Sequence, residues 1–154
     1  MTISTAIWLD IDRVILDRTK WHPKRERCGL WFGAQDLNLE TGDSILHVTY
    51  MAELLNEAEG PDLFEIYQDA VDEVLAMPEV QGLDLIGHWH THWANSMPSV
   101  PDLKGIRDDQ IGTVVCVGQG MLTWYSAEGL LHMEKIKRSP VREKMALALM
   151  KDFA

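Results

Sequence analysis

The segment that decides the fold of this chain is Ile86-Gly-His-Trp-His-Thr-His-Trp-Ala-Asn-Ser-Met-Pro-Ser-Val-Pro-Asp102. A mostly apolar run precedes its histidines and predicts a buried strand. Successive side chains of a strand point to opposite faces, so three alternating histidines share one face if the strand continues through them: His88, His90 and His92. Two neighbouring imidazoles and the carboxylate of Asp102 would provide three ligands and leave a fourth tetrahedral position for water, as in a catalytic zinc site.

A less specific interpretation of these histidines stays open at this point. A single His-x-His pair occurs often by chance, and a lone histidine is usually a surface residue or a satisfied core residue. Ser99 and Asp102 follow at short range, behind a strand with a buried character. Their presence favours metal binding over the less specific interpretation.

Together with a second motif upstream, these residues resemble the JAMM (JAB1/MPN-type) family of zinc metallopeptidases. His90-Thr91-His92, followed by Ser99 and Asp102, is similar to that family's H-x-H…S-x-x-D signature. The family also has a glutamate just before a Cys-Gly-Leu or Gly-Gly-Leu strand that ends in glycine. The segment Glu26-Arg-Cys-Gly-Leu-Trp-Phe-Gly33 matches this second pattern, and the resemblance covers roughly Ala6 to Lys137.

The loop after the histidines departs from the family pattern in two ways. Trp93 stands where the family usually has proline, and the gaps from the second histidine to the serine and to the aspartate are each one residue short. A rival register pairs His88 with His90 and makes each gap one residue too long. The similarity to Gly-x-x-His-Ser/Thr-His favours His90 and His92 as the pair, while the path of the loop stays open.

The resemblance implies a role for each residue of the predicted site. His90, His92 and Asp102 would hold Zn²⁺, which lowers the pKa of bound water towards ~7. Glu26 would act as general base and then deliver the proton to the leaving amine. Ser99 would donate a hydrogen bond to the oxyanion.

Three further aromatic or imidazole residues surround this predicted site. His88 would support the ligands or serve a structural role. Trp89 is expected to face the core or an adjacent layer, opposite the ligands, because it alternates with the histidines. Trp93 would either line the substrate channel or pack against the core.

The resemblance also implies a function and partners. The leading hypothesis is a deubiquitinase-like metallopeptidase or isopeptidase that removes or processes a ubiquitin-like protein, with that protein, its conjugates and its activating and conjugating enzymes as partners. The segment Gly87–His92 is similar to compact bacterial JAB proteins of antiphage conjugation systems. The alternatives are a phage tail-associated or sulfur-carrier-processing JAB peptidase and, from another class, a metal-free MPN scaffold subunit. This chain keeps all five residues that such scaffolds lose in part.

The remaining pattern predicts strands and helices that alternate along the chain. The strands are expected at Ala6–Leu9, Cys28–Gly33, Ser44–Met51, Leu83–His92, Thr113–Val117, Met121–Ser126 and Leu130–Ile136. The helices are expected at Asp10–Thr19, where a strand is the alternative, at Pro61–Met77 with Asp62 as cap and Glu65 as its partner, at Asp102–Asp108, and from Ser139-Pro140 onward.

This arrangement predicts an α/β fold in a single domain over residues 1–154. The short turns around Gly118-Gln-Gly120 and Glu128-Gly129 indicate hairpins and therefore antiparallel or mixed pairing. We expect a mixed, mainly antiparallel sheet flanked by helices. The resemblance implies the same architecture, the MPN/JAB (cytidine-deaminase-like) sandwich.

Composition limits the partners and the compartment. The chain has 154 residues, 46% hydrophobic and 25% charged, with a formal net charge of −10, which disfavours binding to nucleic acid or to anionic membranes. The N-terminal residues lack the pattern of a signal peptide and no apolar run has a membrane-spanning length, so a cytoplasmic protein is predicted. Cys28 and Cys116 lie in apolar runs and are expected to be buried thiols.

The charges are unevenly distributed along the chain. All 14 lysines and arginines lie within Arg13–Arg27 or Lys104–Lys151, so the stretch between them is acidic. A solvated helix face explains this pattern most simply. The functional alternative is an acidic docking surface for a basic partner, such as the Arg-rich tail of a ubiquitin-like protein.

Overall fold

The computed structural model describes residues 1–21, 25–58 and 63–153, and within them the strands form one mixed sheet. The strands are β1 Thr2–Thr5, β2 Cys28–Leu37, β3 Ser44–Leu54, β4 Asp84–His92, β5 Gly112–Cys116, β6 Met121–Ser126 and β7 Gly129–Lys135. The helices are α1 Trp8–Ile15, α2 Gln68–Leu75, α3 Val100–Gly105 and α4 Pro140–Phe153.

The sheet has the order β1-β3-β2-β4-β5-β6-β7. β1 pairs with β3 and β4 pairs with β5 in parallel, whereas the other neighbouring strands are antiparallel. The predicted mixed, mainly antiparallel sheet with flanking helices is therefore confirmed. No helix in the described ranges is both long enough and apolar enough to cross a membrane.

Helices cover both faces of the central strands. On one face, Ile11 of α1 and Leu149 of α4 belong to the same buried cluster as Trp89 and Trp124. On the other face, Val74 of α2 packs in a cluster with apolar residues of β2 and β3. Residues 28–33 are all buried, since β2 lies in the middle of the sheet. This location explains the continuous apolar run that predicted the strand.

The N-terminal region differs from the predicted strand at Ala6–Leu9. The strand lies earlier, at Thr2–Thr5, and is followed by the helix Trp8–Ile15. Ile11 and Ile15 are fully buried, and their separation by four residues is the spacing of a helix. The choice between helix and strand that the sequence left open after Asp10 is thus decided in favour of a helix.

The helix predicted over Pro61–Met77 is shorter and spans Gln68–Leu75. Residues 63–67 are not helical. The side chain of Asn56 donates to the backbone carbonyl of Leu63 and accepts from the backbone N–H of Glu65, so these groups are used outside a helical ladder. A side-chain contact from seven to nine residues away has therefore overridden the local helical pattern.

The start of α2 also differs from the prediction. Tyr67 precedes the helix and makes no side-chain capping hydrogen bond, so Glu65 is not part of a capping box there. Asp62, the predicted cap, lies outside the described residues. Asp69, Asp72 and Glu73 are exposed on α2, as expected for a solvated helix face.

Predictions at other positions are confirmed. Strand β6 has the predicted bounds, and the Oγ of Ser139 accepts a hydrogen bond from the backbone N–H of Arg142 at 3.3 Å, as expected of a cap for α4. Cys28 and Cys116 are buried free thiols. Burial raises the pKa of the Cys28 thiol to about 12, and the negative charges of Glu53 and Glu26 add to this effect.

We predict that Gly29→Ala destabilises the fold. A Cβ at Gly29 would lie 1.9 Å from the carbonyl oxygen of Ala52 and 2.6 Å from the indole of Trp89. Overpacking of this kind typically costs about 1–3 kcal/mol. The free energy of unfolding, measured by urea denaturation, should therefore fall by at least about 1 kcal/mol. Gly105→Ala is the matched control, because no atom lies within 4 Å of its Cβ position. Equal midpoints for Gly29→Ala and wild type would contradict the prediction.

Candidate metal centre

Two imidazoles and two carboxylates converge at the end of β4. The Nε2 atoms of His90 and His92 are 3.1 Å apart. The Oδ2 of Asp102 lies 3.0 Å from the Nε2 of His90 and 3.4 Å from that of His92. The Oε1 of Glu26 lies 3.6 Å from the Nε2 of His92. Four side chains from three separate parts of the chain therefore present nitrogen and oxygen atoms to one small volume.

The alternation of β4 accounts for the placement of the histidines. Trp89 is fully buried in the cluster that contains Trp31 and Trp124, and its Nε1 donates to the carbonyl of Ala52 at 3.2 Å. The prediction that Trp89 faces the core is confirmed. His90 and His92 point to the opposite face, since they alternate with Trp89 along the strand.

The threonine between the two histidines brings Glu26 to the site. The backbone N–H of Arg27 donates to the Oγ1 of Thr91 at 2.9 Å, and the backbone N–H of Thr91 donates to the carbonyl of Arg27 at 2.9 Å. The Arg27 side chain is buried and forms a bidentate ion pair with Glu53. Its Nε donates to Oε2 at 2.7 Å and its Nη2 donates to Oε1 at 2.6 Å. These contacts fix the backbone beside Glu26 against the strand that carries the histidines.

Ser99 and Asp102 form a capping box at the start of α3. The Oγ of Ser99 accepts from the backbone N–H of Asp102 at 3.1 Å, and the Oδ2 of Asp102 accepts from the backbone N–H of Ser99 at 2.8 Å. α3 begins at Val100, two residues before the predicted start. The S-x-x-D spacing therefore has a local structural reason, because the capping box holds the Asp102 carboxylate in a fixed direction.

The shortened loop after His92 still delivers Asp102 to the histidines. Trp93 packs against the core with its ring centroid 4.5 Å from that of Trp21, and its carbonyl accepts from the N–H of Gly118 at 2.9 Å. The Nδ1 of His92 lies 2.9 Å from the carbonyl of Asn95. In the neutral imidazole a carbonyl partner requires Nδ1 to carry the proton, so that Nε2 can offer its lone pair to a metal; in the imidazolium, Nε2 instead donates to Asp102.

The ionisable groups of the cluster shift one another's pKa values. Burial opposes ionisation of Asp102, but hydrogen bonds from His90 and His92 outweigh it and hold the pKa of this carboxyl well below its usual range. Burial lowers the pKa of His90. Burial also disfavours the charged form of His92, yet the hydrogen bond to Asp102 and the charge of Glu26 raise its pKa overall. Asp102 is therefore an ionised acceptor beside two imidazoles.

The geometry of this cluster fits a tetrahedral zinc ion. Ligand atoms about 2.0–2.1 Å from zinc in a tetrahedron lie about 3.3–3.4 Å from one another. The three distances among His90, His92 and Asp102 are 3.1, 3.0 and 3.4 Å. Glu26 and the two histidines also form a group whose ligand atoms lie within 4.8 Å of one another and could hold a metal ion. The roles of these residues as zinc ligands and catalytic base stay predictions.

His88 lies on the same strand face but outside the convergent cluster. Its Nδ1 is buried, without a hydrogen-bond partner among the described residues, and its ring lies 5.6 Å from Phe64 and 6.4 Å from Tyr125. Burial, with the nearby His90, lowers the pKa of His88 to about 4. The convergence of His90, His92 and Asp102 favours the register that pairs His90 with His92.

Sequence reasoning did not identify Phe64 as part of this site. Its ring stacks on the imidazole of His90, with centroids 4.3 Å apart and an interplanar angle of 16°. No local signal marks it, because it lies in a stretch whose pattern predicted a helix. Only the fold brings this segment over β4.

The family of the chain follows from comparison with known proteins. The family profile described as prokaryotic homologs of the JAB domain matches residues 10–128. This chain belongs to that prokaryotic JAB family, as its two motifs indicated. No curated protein matches the sequence.

Two solved structures with TM-scores above 0.5 show the same fold. A protein from Desulfitobacterium hafniense is 19% identical, with 89% of this chain and 92% of that chain covered at a TM-score of 0.60. A protein from Salinibacter ruber is 20% identical, with 91% and 93% covered at a TM-score of 0.53. A JAB1/MPN domain protein from Archaeoglobus fulgidus is 15% identical, with 89% and 100% covered at a TM-score of 0.47.

Proposed function

We propose that this chain is a zinc-dependent JAMM metallopeptidase that removes a ubiquitin-like protein from conjugates or processes its precursor. The convergence of His90, His92 and Asp102 within 3.4 Å, with Glu26 beside His92, is the observation that carries this proposal. Zinc bound there would supply a Lewis acid and activate water near neutral pH. A catalytically silent scaffold has no need for this set of ligand atoms.

The protein residues have complementary tasks in this reaction. The Glu26 carboxylate lies at the edge of the ligand cluster, where it can take a proton from the attacking water and pass it to the leaving amine. The Oγ of Ser99 accepts a hydrogen bond from the backbone of Asp102, so its own O–H remains able to donate to the carbonyl oxygen of the substrate. The capping box at the start of α3 holds the side chains of Ser99 and Asp102 in place for both tasks.

The substrate and its setting belong to the proposal as well. The Gly87–His92 segment is similar to compact bacterial JAB proteins of antiphage conjugation systems, which supports a ubiquitin-like substrate. Its conjugates and its activating and conjugating enzymes are the proposed partners. Cleavage after the C-terminal residue of the ubiquitin-like protein would release either an amine-bearing target or a short C-terminal extension.

The direct test uses two substrates made from a ubiquitin-like protein. One carries a C-terminal peptide extension, and the other is linked through its C-terminus to a lysine side chain. Mass spectrometry should find cleavage at the C-terminus of the ubiquitin-like part. We expect a chelator to abolish cleavage and added zinc to restore it. Stoichiometric zinc without cleavage of either substrate would overturn the proposed substrate class. Folded protein that binds no zinc would overturn the proposal that this chain is a zinc-dependent peptidase.

We predict that Ser99→Ala lowers kcat by about 10²–10³-fold, since that is the typical cost of losing one donor to an oxyanion. The substitution also removes the cap of α3, which costs about 1 kcal/mol of stability. Ser139→Ala is the matched control, because it removes a comparable cap from α4. Steady-state kinetics and urea denaturation separate the two effects. Similar kcat losses in both variants would assign the effect of Ser99 to stability.

A further inference from the structure

The side chain of Asn56 connects two segments that border the metal centre. We infer that Asn56 is a positioning residue, which holds both the backbone of Glu26 and the segment that carries Phe64. The consequence for catalysis rests on the function proposed above, whereas the structural part of the inference does not. Nothing in the two family motifs points to this asparagine.

Asn56 uses the full hydrogen-bonding capacity of its carboxamide. Its Nδ2 donates to the backbone carbonyls of Glu26 and Leu63, each at 2.9 Å. Its Oδ1 accepts from the backbone N–H of Ala58 at 2.9 Å and of Glu65 at 3.1 Å. An amide has two donors and two acceptor lone pairs, and here each has a backbone partner.

The four partners belong to different parts of the chain. Glu26 lies two residues before β2, Ala58 follows β3, and Leu63 and Glu65 lie ahead of α2. Phe64 stands between the last two partners and stacks on His90 with a centroid distance of 4.3 Å. One side chain therefore fixes the proposed general base and the ring that covers a proposed metal ligand.

Neighbouring hydrogen bonds reinforce this arrangement. The Nη2 of Arg25 donates to the carbonyls of Asn56 at 3.0 Å and Ala58 at 2.8 Å. The backbone N–H of Glu57 donates to the carbonyl of Glu65 at 3.4 Å. The contacts with Arg25 restrain the backbone of Asn56, while the carboxamide restrains its partners. Loss of the carboxamide should release Glu26 and Phe64 together.

Nuclear magnetic resonance of Asn56→Ala tests the structural part. The stacked Phe64 ring shifts the side-chain proton resonances of His90, and Phe64→Leu gives the resonance positions without that ring. We expect Asn56→Ala to move the His90 resonances towards those of Phe64→Leu. Amide exchange at Ala58 and Glu65 should accelerate about 10-fold or more, because each loses its hydrogen-bond acceptor. Unchanged His90 resonances and unchanged exchange would overturn the inference.

Two further variants keep the test decisive. Asn56→Asp keeps the acceptors for Ala58 and Glu65 but loses both donors, so those amides should stay protected while the His90 resonances still move. Asn38→Ala is the matched control, because the Oδ1 of Asn38 caps a turn between β2 and β3, accepting from the N–H of Glu40 at 3.0 Å. Asn38→Ala should leave the His90 resonances unchanged.

Kinetics then tests the catalytic consequence. Asn56→Ala should lower kcat by about 10–100-fold with a smaller change in KM, because a misplaced base affects the chemical step more than binding. Zinc content should match wild type, since no metal ligand is changed. Moved resonances with wild-type kcat would overturn the positioning role and leave the proposed function intact. An inactive wild-type protein would overturn the proposed function and leave the resonance test valid.

Discussion

Replacement of both His90 and His92 by alanine is expected to abolish stoichiometric zinc binding and peptidase activity. These imidazoles supply two of the three proposed protein ligands, and their Nε2 atoms lie 3.1 Å apart. The affinity loss should exceed the roughly 10–100-fold that removal of a hydrogen bond supporting a ligand costs. Elemental analysis of the purified protein measures its zinc content. Competition with a chelator then measures the loss of zinc affinity.

The control for this double variant is His47→Ala/His132→Ala. Both control histidines are partly exposed, with 40% and 39% of their side chains accessible, and they pair with Asp36 and Glu134 rather than with the site. This control should bind zinc as wild type does. Because His90 is fully buried, its replacement by alanine also removes packing contacts and lowers stability. Asp102→Asn avoids this effect, since it changes a proposed ligand without changing the size of the side chain. Zinc binding retained by both the double variant and Asp102→Asn would exclude the proposed ligand set.

Substitution of Glu26 by glutamine should strongly slow cleavage while zinc remains bound. Glutamine keeps the size of the side chain but cannot accept a proton, and general acid–base catalysis typically contributes about 10²–10⁴-fold to the rate. We therefore expect kcat to fall by that factor with little change in zinc content. Glu128→Gln, at the exposed turn between β6 and β7, should retain wild-type kcat. Full activity in Glu26→Gln would require a different base.

The metal-free Glu26→Gln protein gives an independent readout of proximity. Burial lowers the pKa of His92, whereas Asp102 and the charge of Glu26 raise it, with a net increase. Removal of the Glu26 charge should therefore lower the pKa of His92, so that the imidazolium loses its proton at a lower pH. Nuclear magnetic resonance titration of the His92 ring measures this shift. No shift would place Glu26 too far from His92 to act in the site.

Local sequence patterns were sufficient for the central strand and its histidines. The alternation of β4 is a property of any extended chain, so Trp89 had to face away from His90 and His92 once a strand was assigned. The capping box of Ser99 and Asp102 is equally local, since both partners lie within one helical turn. The helix nevertheless begins at Val100 rather than at the predicted Asp102, because Ser99 caps it.

Contacts between distant segments determined what local patterns missed. The sequence predicted a helix across residues 63–67, but Asn56 uses the backbone groups of Leu63 and Glu65 and the fold places Phe64 on His90. The N-terminal strand was assigned too late in the chain for a related reason. Ile3 is buried because β1 pairs with β3, a partner more than forty residues away.

The sequence by itself determined that His90 and His92 share a strand face, that Ser99 and Asp102 follow in a turn, and that a glutamate precedes the central strand. These features depend on spacing alone. Only the tertiary structure decided that Glu26 meets His92, through two hydrogen bonds between Arg27 and Thr91, one to the threonine side chain and one between the backbones. Neither spacing nor composition encodes such a contact, because its geometry depends on how β2 pairs with β4.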